Sequence, residues 1–93
     1  MDIGEIKNTI LPILEKYEVK KAGIFGSVVR NEEKEGSDID ILVELPKGAS
    51  LLDLVGLKID LEDELRGKVD LLTYNSIYYL LRERILSEEV QIL

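Results

Sequence analysis

The chain has 93 residues, 45% of them apolar, which suits one globular domain with one core and leaves no room for a second. Its 12 basic and 19 acidic residues leave a formal charge of −7. That balance disfavours a nucleic-acid partner, because neutralising phosphates needs a basic surface. Cysteine and histidine are both absent, so disulfides, thiolate or imidazole metal sites and histidine-activated nucleophiles are excluded, and any metal is a hard ion held by oxygen. With no signal-peptide layout and no apolar run near ~20 residues, the expectation is a soluble, cytoplasmic protein that does not cross a membrane.

In "DIGEIKNTILPILEKYE", Ile3, Ile6, Ile10, Ile13, Leu14 and Tyr17 fall on one helical stripe. Asp2 with Glu5 has capping-box spacing, so a helix is expected from about Ile3, with a kink or break at Pro12. "KKAGIFG" reads as a strand over Lys21–Phe25, followed by a brief helix in "SVVR" and a charged, mobile loop in "NEEKEG". "DIDILVEL" alternates with period two, Asp38 and Asp40 on one face and Ile39, Ile41 and Val43 on the other. Ser50 and Asp53 repeat the capping-box spacing and open a helix expected over Leu51–Arg66, ended by Gly67. Its apolar arc, from Leu51, Leu54, Leu57, Leu61 and Leu65 round to Leu52, Val55 and Ile59, is wider than one sheet needs and leaves part for a partner. "KVDLLT" reads as a third strand, "SIYYLLRERIL" as a last helix with Ile77, Leu81 and Ile85 inward, and "VQIL" as a short extended segment. The fold class is α/β (α+β), a three-stranded sheet packed with helices in a single domain over residues 1–93.

Two aspartates on one strand face gain nothing from burial and repel each other unless a cation sits between them. Residues i and i+2 of a strand have Cα atoms roughly 6.5–7 Å apart. Carboxylates converging from there bracket one Mg²⁺, or two ions roughly 3.5–4 Å apart. Asp70, in "KVDLL", adds a third carboxylate if its strand neighbours that of Asp38 and Asp40. The Gly26-Ser27 turn supplies the other half: glycine permits a sharp turn and close approach, and the opening N–H groups of the following turn favour phosphate. Ser27 adds a hydroxyl donor, and Arg30, one turn on, is placed either for phosphate contact or for a salt bridge with a nearby acid such as Glu32. A phosphate cradle beside a carboxylate metal site suits phosphoryl or nucleotidyl transfer, where catalysis is positioning and charge neutralisation.

"GSVVR…SDIDILV…VDLL", spanning Phe25 to Leu71, resembles the nucleotidyltransferase signature of the DNA polymerase β superfamily, and the short length resembles its minimal, MNT-type members. The resemblance implies a mixed sheet and ATP as nucleotide donor. It makes Asp38, Asp40 and Asp70 the catalytic metal triad and puts Gly26, Ser27 and Arg30 on the nucleotide. Mg²⁺ is the expected cofactor, as two ions, with Mn²⁺ the alternative. Val28 stands where members often carry arginine, and Asn31 where they carry glycine; asparagine tolerates the left-handed backbone a glycine serves. Larger members add an acceptor domain; here either a partner protein or a homo-oligomer completes the site. Minimal members are commonly paired with HEPN-type toxins, to whose tyrosine they transfer AMP as antitoxins. That is the leading expectation. The alternatives are a silent module that neutralises a partner by contact and a small-molecule nucleotidyltransferase. Glu44 is expected at the surface, and Tyr74, Tyr78 and Tyr79 in packing rather than in a base-stacking platform.

Overall fold

The structure, a computed structural model, describes residues 2–32 and 38–93. The segment expected to be a mobile loop falls largely outside them. Helix α1 spans Ile3–Lys16, capped by Asp2, whose carboxylate accepts from the Glu5 N–H at 2.8 Å. Ile6, Ile10 and Leu14 are fully buried along it. Of the kink or break expected at Pro12, the break does not occur: α1 runs through it as one helix. Pro12 is exposed, so the carbonyl it leaves unpaired, that of exposed Asn8, faces water while Ile10 and Leu14 hold the inner face.

Strands β1 (Lys21–Phe25), β2 (Ile39–Glu44), β3 (Val69–Thr73) and β4 (Val90–Gln91) form one mixed sheet in the order β3-β2-β1-β4. The expectation of three strands is corrected to four. The extended C-terminal segment pairs antiparallel with β1, Gly23 facing Gln91 and Ile24 facing Val90. It also carries Ile92 into the core. Two residues of strand are too few to signal themselves by alternation. β1 and β2 are antiparallel, whereas β2 and β3 run parallel and are joined by helix α2 (Leu51–Leu65) as a crossover. Ser50 and Asp53 form the expected reciprocal capping box. The left-handed residue that ends the helix is Arg66, φ 55°, rather than Gly67.

Strand alternation assigns the two faces different work. Ala22, Ile24, Ile41, Val43, Val69 and Leu71 point to one side and pack with Ile6, Ile10, Leu14, Leu57, Leu61 and Leu65 of α1 and α2. Tyr17 ties the two helices by donating to Asp60 at 2.7 Å. The opposite face carries a smaller cluster, Phe25, Leu42, Tyr74 and Ile77, joined by Leu72 and Ile85. Helix α3 (Tyr79–Glu88) lies over it and buries none of its own residues. This corrects the last helix: Ile77 is buried but precedes it, Leu81 is 47% exposed, and only Ile85 packs inward. Polar links hold α3 instead. Arg82 donates to the Tyr74 carbonyl at 2.7 Å, and Tyr74 donates its hydroxyl to Glu89. Glu89 in turn lies over Gly23, where a Cβ would collide with it. Tyr74 is core as expected, but Tyr78 and Tyr79 are exposed and meet edge to face.

The main core and the apolar arc of α2 differ in what truncation does. Leu57→Ala removes a fully buried side chain and is expected to cost about 2–5 kcal/mol, read from the urea midpoint at constant slope. Leu52→Ala, 81% exposed in the chain, is expected to stay within about 0.5 kcal/mol of the parent.

Candidate functional site

Three strand ends meet on the α3 face of the sheet. In the parallel β2–β3 ladder Asp40 stands opposite Asp70, and in the antiparallel β1–β2 ladder it stands opposite Phe25. Asp40, Leu42 and Leu72 alternate away from the main core, so Asp40 and Asp70 project together beneath α3. Asp38 precedes β2 by one residue and is exposed. Among the described residues no three acidic side chains form a ready-made cation cage. The arrangement is an adjacent pair, Asp40 and Asp70, with Asp38 near enough for its charge to act on Asp40.

Gly26 closes this site from the β1 side. Its φ of 78° is left-handed, and a Cβ there would overlap the Asp40 carboxylate, so only glycine fits on both counts. The chain then makes a 3₁₀ turn over Gly26–Val28, in which the Gly26 carbonyl accepts from the N–H groups of Val29 and Arg30 at 3.1 and 3.2 Å. Ser27 sits half-buried on that turn. Val28 points into the main core, so that position faces away from the aspartates. Asn31 adopts φ 56°, the left-handed conformation anticipated for it.

Burial first, then the charges of Asp70 and Asp38 and a hydrogen bond shared with Asp70, push Asp40 up from an ordinary 3.8 to about 6; Arg30 opposes the shift. Asp40 therefore holds a proton more readily than an isolated carboxylate. Arg30 is not free in the folded chain. Its Nε donates to Glu32 at 3.0 Å, and its Nη1 donates to both carboxylate oxygens of Glu88 at 3.1 and 2.9 Å.

The aspartates open into a cavity of about 330 Å³ between the sheet and α3. Phe25 and Leu72 line its sheet side, and Leu81, Arg84, Ile85 and Glu88 of α3 line the other. Sequence reasoning missed the α3 wall. The apolar pattern places Leu81 and Ile85 inward but does not single out Arg84 and Glu88, which share their helical face. A cleft of about 390 Å³ at the far end of β2 has Glu44 as its one charged wall residue among those described. The convergent chemistry lies at the Asp40 end. Glu44 is exposed, as expected.

The family profile described as "Polymerase beta, Nucleotidyltransferase" matches residues 8–93. A Methanocaldococcus jannaschii protein, by assignment a protein adenylyltransferase, is 62% identical over the whole of both chains. The protein adenylyltransferase MntA of Thermococcus cleftensis is 40% identical over 84% of this chain and 79% of its own. Among solved structures, a chain described as a minimal nucleotidyltransferase superposes with a TM-score of 0.82 at 33% identity, over 97% of this chain and 95% of that one. A complex of a Shewanella oneidensis tri-AMPylated HEPN toxin with an MNT antitoxin shares the fold at a TM-score of 0.74 and 22% identity, over 97% of this chain and 71% of that one.

Two outcomes follow from the geometry. Gly26→Ala is expected to lower stability by at least about 1 kcal/mol, through the left-handed backbone and the overlap with Asp40, on denaturant titration. Because the folded Asp40 titrates above its unfolded value, its contribution to stability is complete below about pH 4 and is lost as pH rises through about 6. Asp40→Asn is therefore expected to melt higher than the parent at pH 8 in chelator-treated buffer, and to flatten the decline between about pH 4 and 6.

Proposed function

The chain belongs to the polymerase beta nucleotidyltransferase family, and from that premise we propose that it is a Mg²⁺-dependent protein adenylyltransferase, moving AMP from ATP to a tyrosine hydroxyl of a HEPN-type toxin as its antitoxin. The observation that carries this reading is the register of Asp40 and Asp70 on adjacent parallel strands, pressed against the Gly26 turn. The adenylyltransferase names of the relatives that match most of the chain support the reaction, and the HEPN–MNT complex, with its AMPylated toxin, supports the partner. The exposed apolar residues Leu51, Leu52, Val55 and Ile59 of α2 and Tyr79 and Leu80 of α3 suit a protein acceptor better than a small one.

The donor set fits a divalent cation. Asp40 and Asp70 are oxygen-only ligands whose mutual repulsion a cation relieves, and Mg²⁺ is usually held by one or two carboxylates with substrate phosphates completing its shell. A two-carboxylate pair with the charge of Asp38 acting on it meets that requirement without a closed cage. Bound there, Mg²⁺ supplies charge neutralisation of the triphosphate and orientation of the acceptor oxygen. Asp38 and Asp40, with Asp70 beside them, would hold the cations, and Gly26 and Ser27 would steady the β- and γ-phosphates. Asp70, the more exposed of the facing pair, accepts the proton of the acceptor hydroxyl. The acceptor oxygen then bonds to the α-phosphorus, the bond from that phosphorus to the bridging oxygen breaks, and pyrophosphate leaves.

The test is transfer from radiolabelled ATP and Mg²⁺ into protein in a lysate of the source cells, with the Asp38→Asn/Asp40→Asn double variant alongside. Label is expected on one protein band from α-labelled ATP, not from γ-labelled ATP, and only with the parent chain. Label from the γ-position, or equal labelling by the double variant, would sink the mechanism. A partner that co-purifies with both chains and takes up no label would make this a masking module instead.

A further inference from the structure

The cavity beside the aspartates has two arginines in its wall, and a single carboxylate stands between them. Arg30, on the turn that follows Gly26, places its Nη1 at 2.9 and 3.1 Å from the Glu88 oxygens. Arg84, one helical turn before Glu88 on α3, brings its Nε to 3.7 Å from the same carboxylate. Arg84 is held more weakly than Arg30, and its side chain is 70% exposed at the mouth of the cavity. Two guanidinium groups flanking one carboxylate, beside acidic residues that favour no further anion, form an anion-binding arrangement filled from within. The Arg84–Glu88 pair, at 3.7 Å with Arg84 70% exposed, adds little to stability, so turning Arg84 from the carboxylate to a phosphate costs the fold little.

We propose that Arg84 is a phosphate-binding residue for the nucleoside triphosphate, and that Glu88 is an internal anion that Arg84 and Arg30 give up when the polyphosphate enters. This rests on the nucleotidyl-transfer reading above and adds to it a cationic residue outside the family signature. The turn at Gly26 approaches the triphosphate from β1, and Arg84 approaches it from α3. Arg84 thereby provides a positive contact on the side of the cleft opposite the Gly26 turn. Glu88 is a positioning residue: it keeps both guanidiniums in the cavity and sets the threshold that a ligand must exceed to displace it.

Calorimetric titration with ATP in Mg²⁺ buffer, and separately with adenosine, tests this on the parent chain, Arg84→Ala, Arg84→Lys and Glu88→Gln. Arg84 is exposed, so its variants keep the fold, and circular dichroism verifies this. Arg84→Ala is expected to weaken ATP binding roughly tenfold to a hundredfold, the worth of a charged hydrogen bond, and to leave adenosine unchanged. Arg84→Lys recovers part of the loss. Glu88→Gln, with the competing charge removed, binds ATP more tightly than the parent. Unchanged ATP binding by Arg84→Ala, or equal losses for ATP and adenosine, would overturn the phosphate contact while leaving the transferase reading intact. ATP binding by Glu88→Gln that is no tighter than the parent's would overturn the competition. A parent chain that binds neither ligand would remove the nucleotide reading and this inference together.

Discussion

Parallel pairing of β2 with β3 sets the carboxylates of Asp40 and Asp70 side by side, two like charges in a part-buried place. No strand gains stability from that, and a slip of one residue in the register would turn Asp70 towards the main core and Leu71 away from it. The register is held by Val69 and Leu71 on β3 and Ile41 and Val43 on β2, whose side chains fill the core beneath α1 and α2. The hydrophobic face thus pays for the polar one. The crossover helix α2 is what makes the parallel pairing available, and its capping box and buried Leu57, Leu61 and Leu65 are part of the same arrangement.

Gly26 belongs to this constraint as much as the aspartates do. Its lack of a Cβ lets the backbone pass against the Asp40 carboxylate, which burial and neighbouring charge have already made reluctant to ionise. A bulkier residue would push the turn from the carboxylate and undo the proximity that joins phosphate-facing backbone to acidic strand. Arg30, one turn further, lowers the repulsion from a distance while its own hydrogen bonds go to Glu32 and Glu88.

The amino-acid sequence carried the elements whose signal is local. Both helix caps, the period-two alternation around Asp38 and Asp40, the buried stripe of α1 and the left-handed Asn31 were legible because each depends on residues within one turn or one strand. What escaped depends on distant partners. β4 is two residues long and exists because β1 offers an edge. Pro12 is tolerated because its neighbours are anchored in a core that local pattern does not describe. The inward face of α3 was misassigned because that helix is held by polar links, Arg82 to the Tyr74 carbonyl and Glu88 to Arg30, rather than by an apolar stripe. Arg84 and Glu88 share a helical face with Leu81 and Ile85, but only the folded chain brings that face to the aspartates.

The absence of any buried residue in α3 has a dynamic meaning. The free energy that resists local opening comes from apolar contacts and protected backbone, and α3 has few of the former, while α1 and α2 share the main core. Lifting α3 would break the links of Arg82 and Glu88 and the packing of Ile85, and leave the main core of the sheet and its two inner helices untouched. The molecule is accordingly a rigid half and a yielding half, with the aspartates fixed to the rigid one and the roof of the cavity on the other. Amide protons of α3 would exchange through such partial openings at rates set by the helix itself, whereas those of β1 and β2 would wait for the whole chain to unfold.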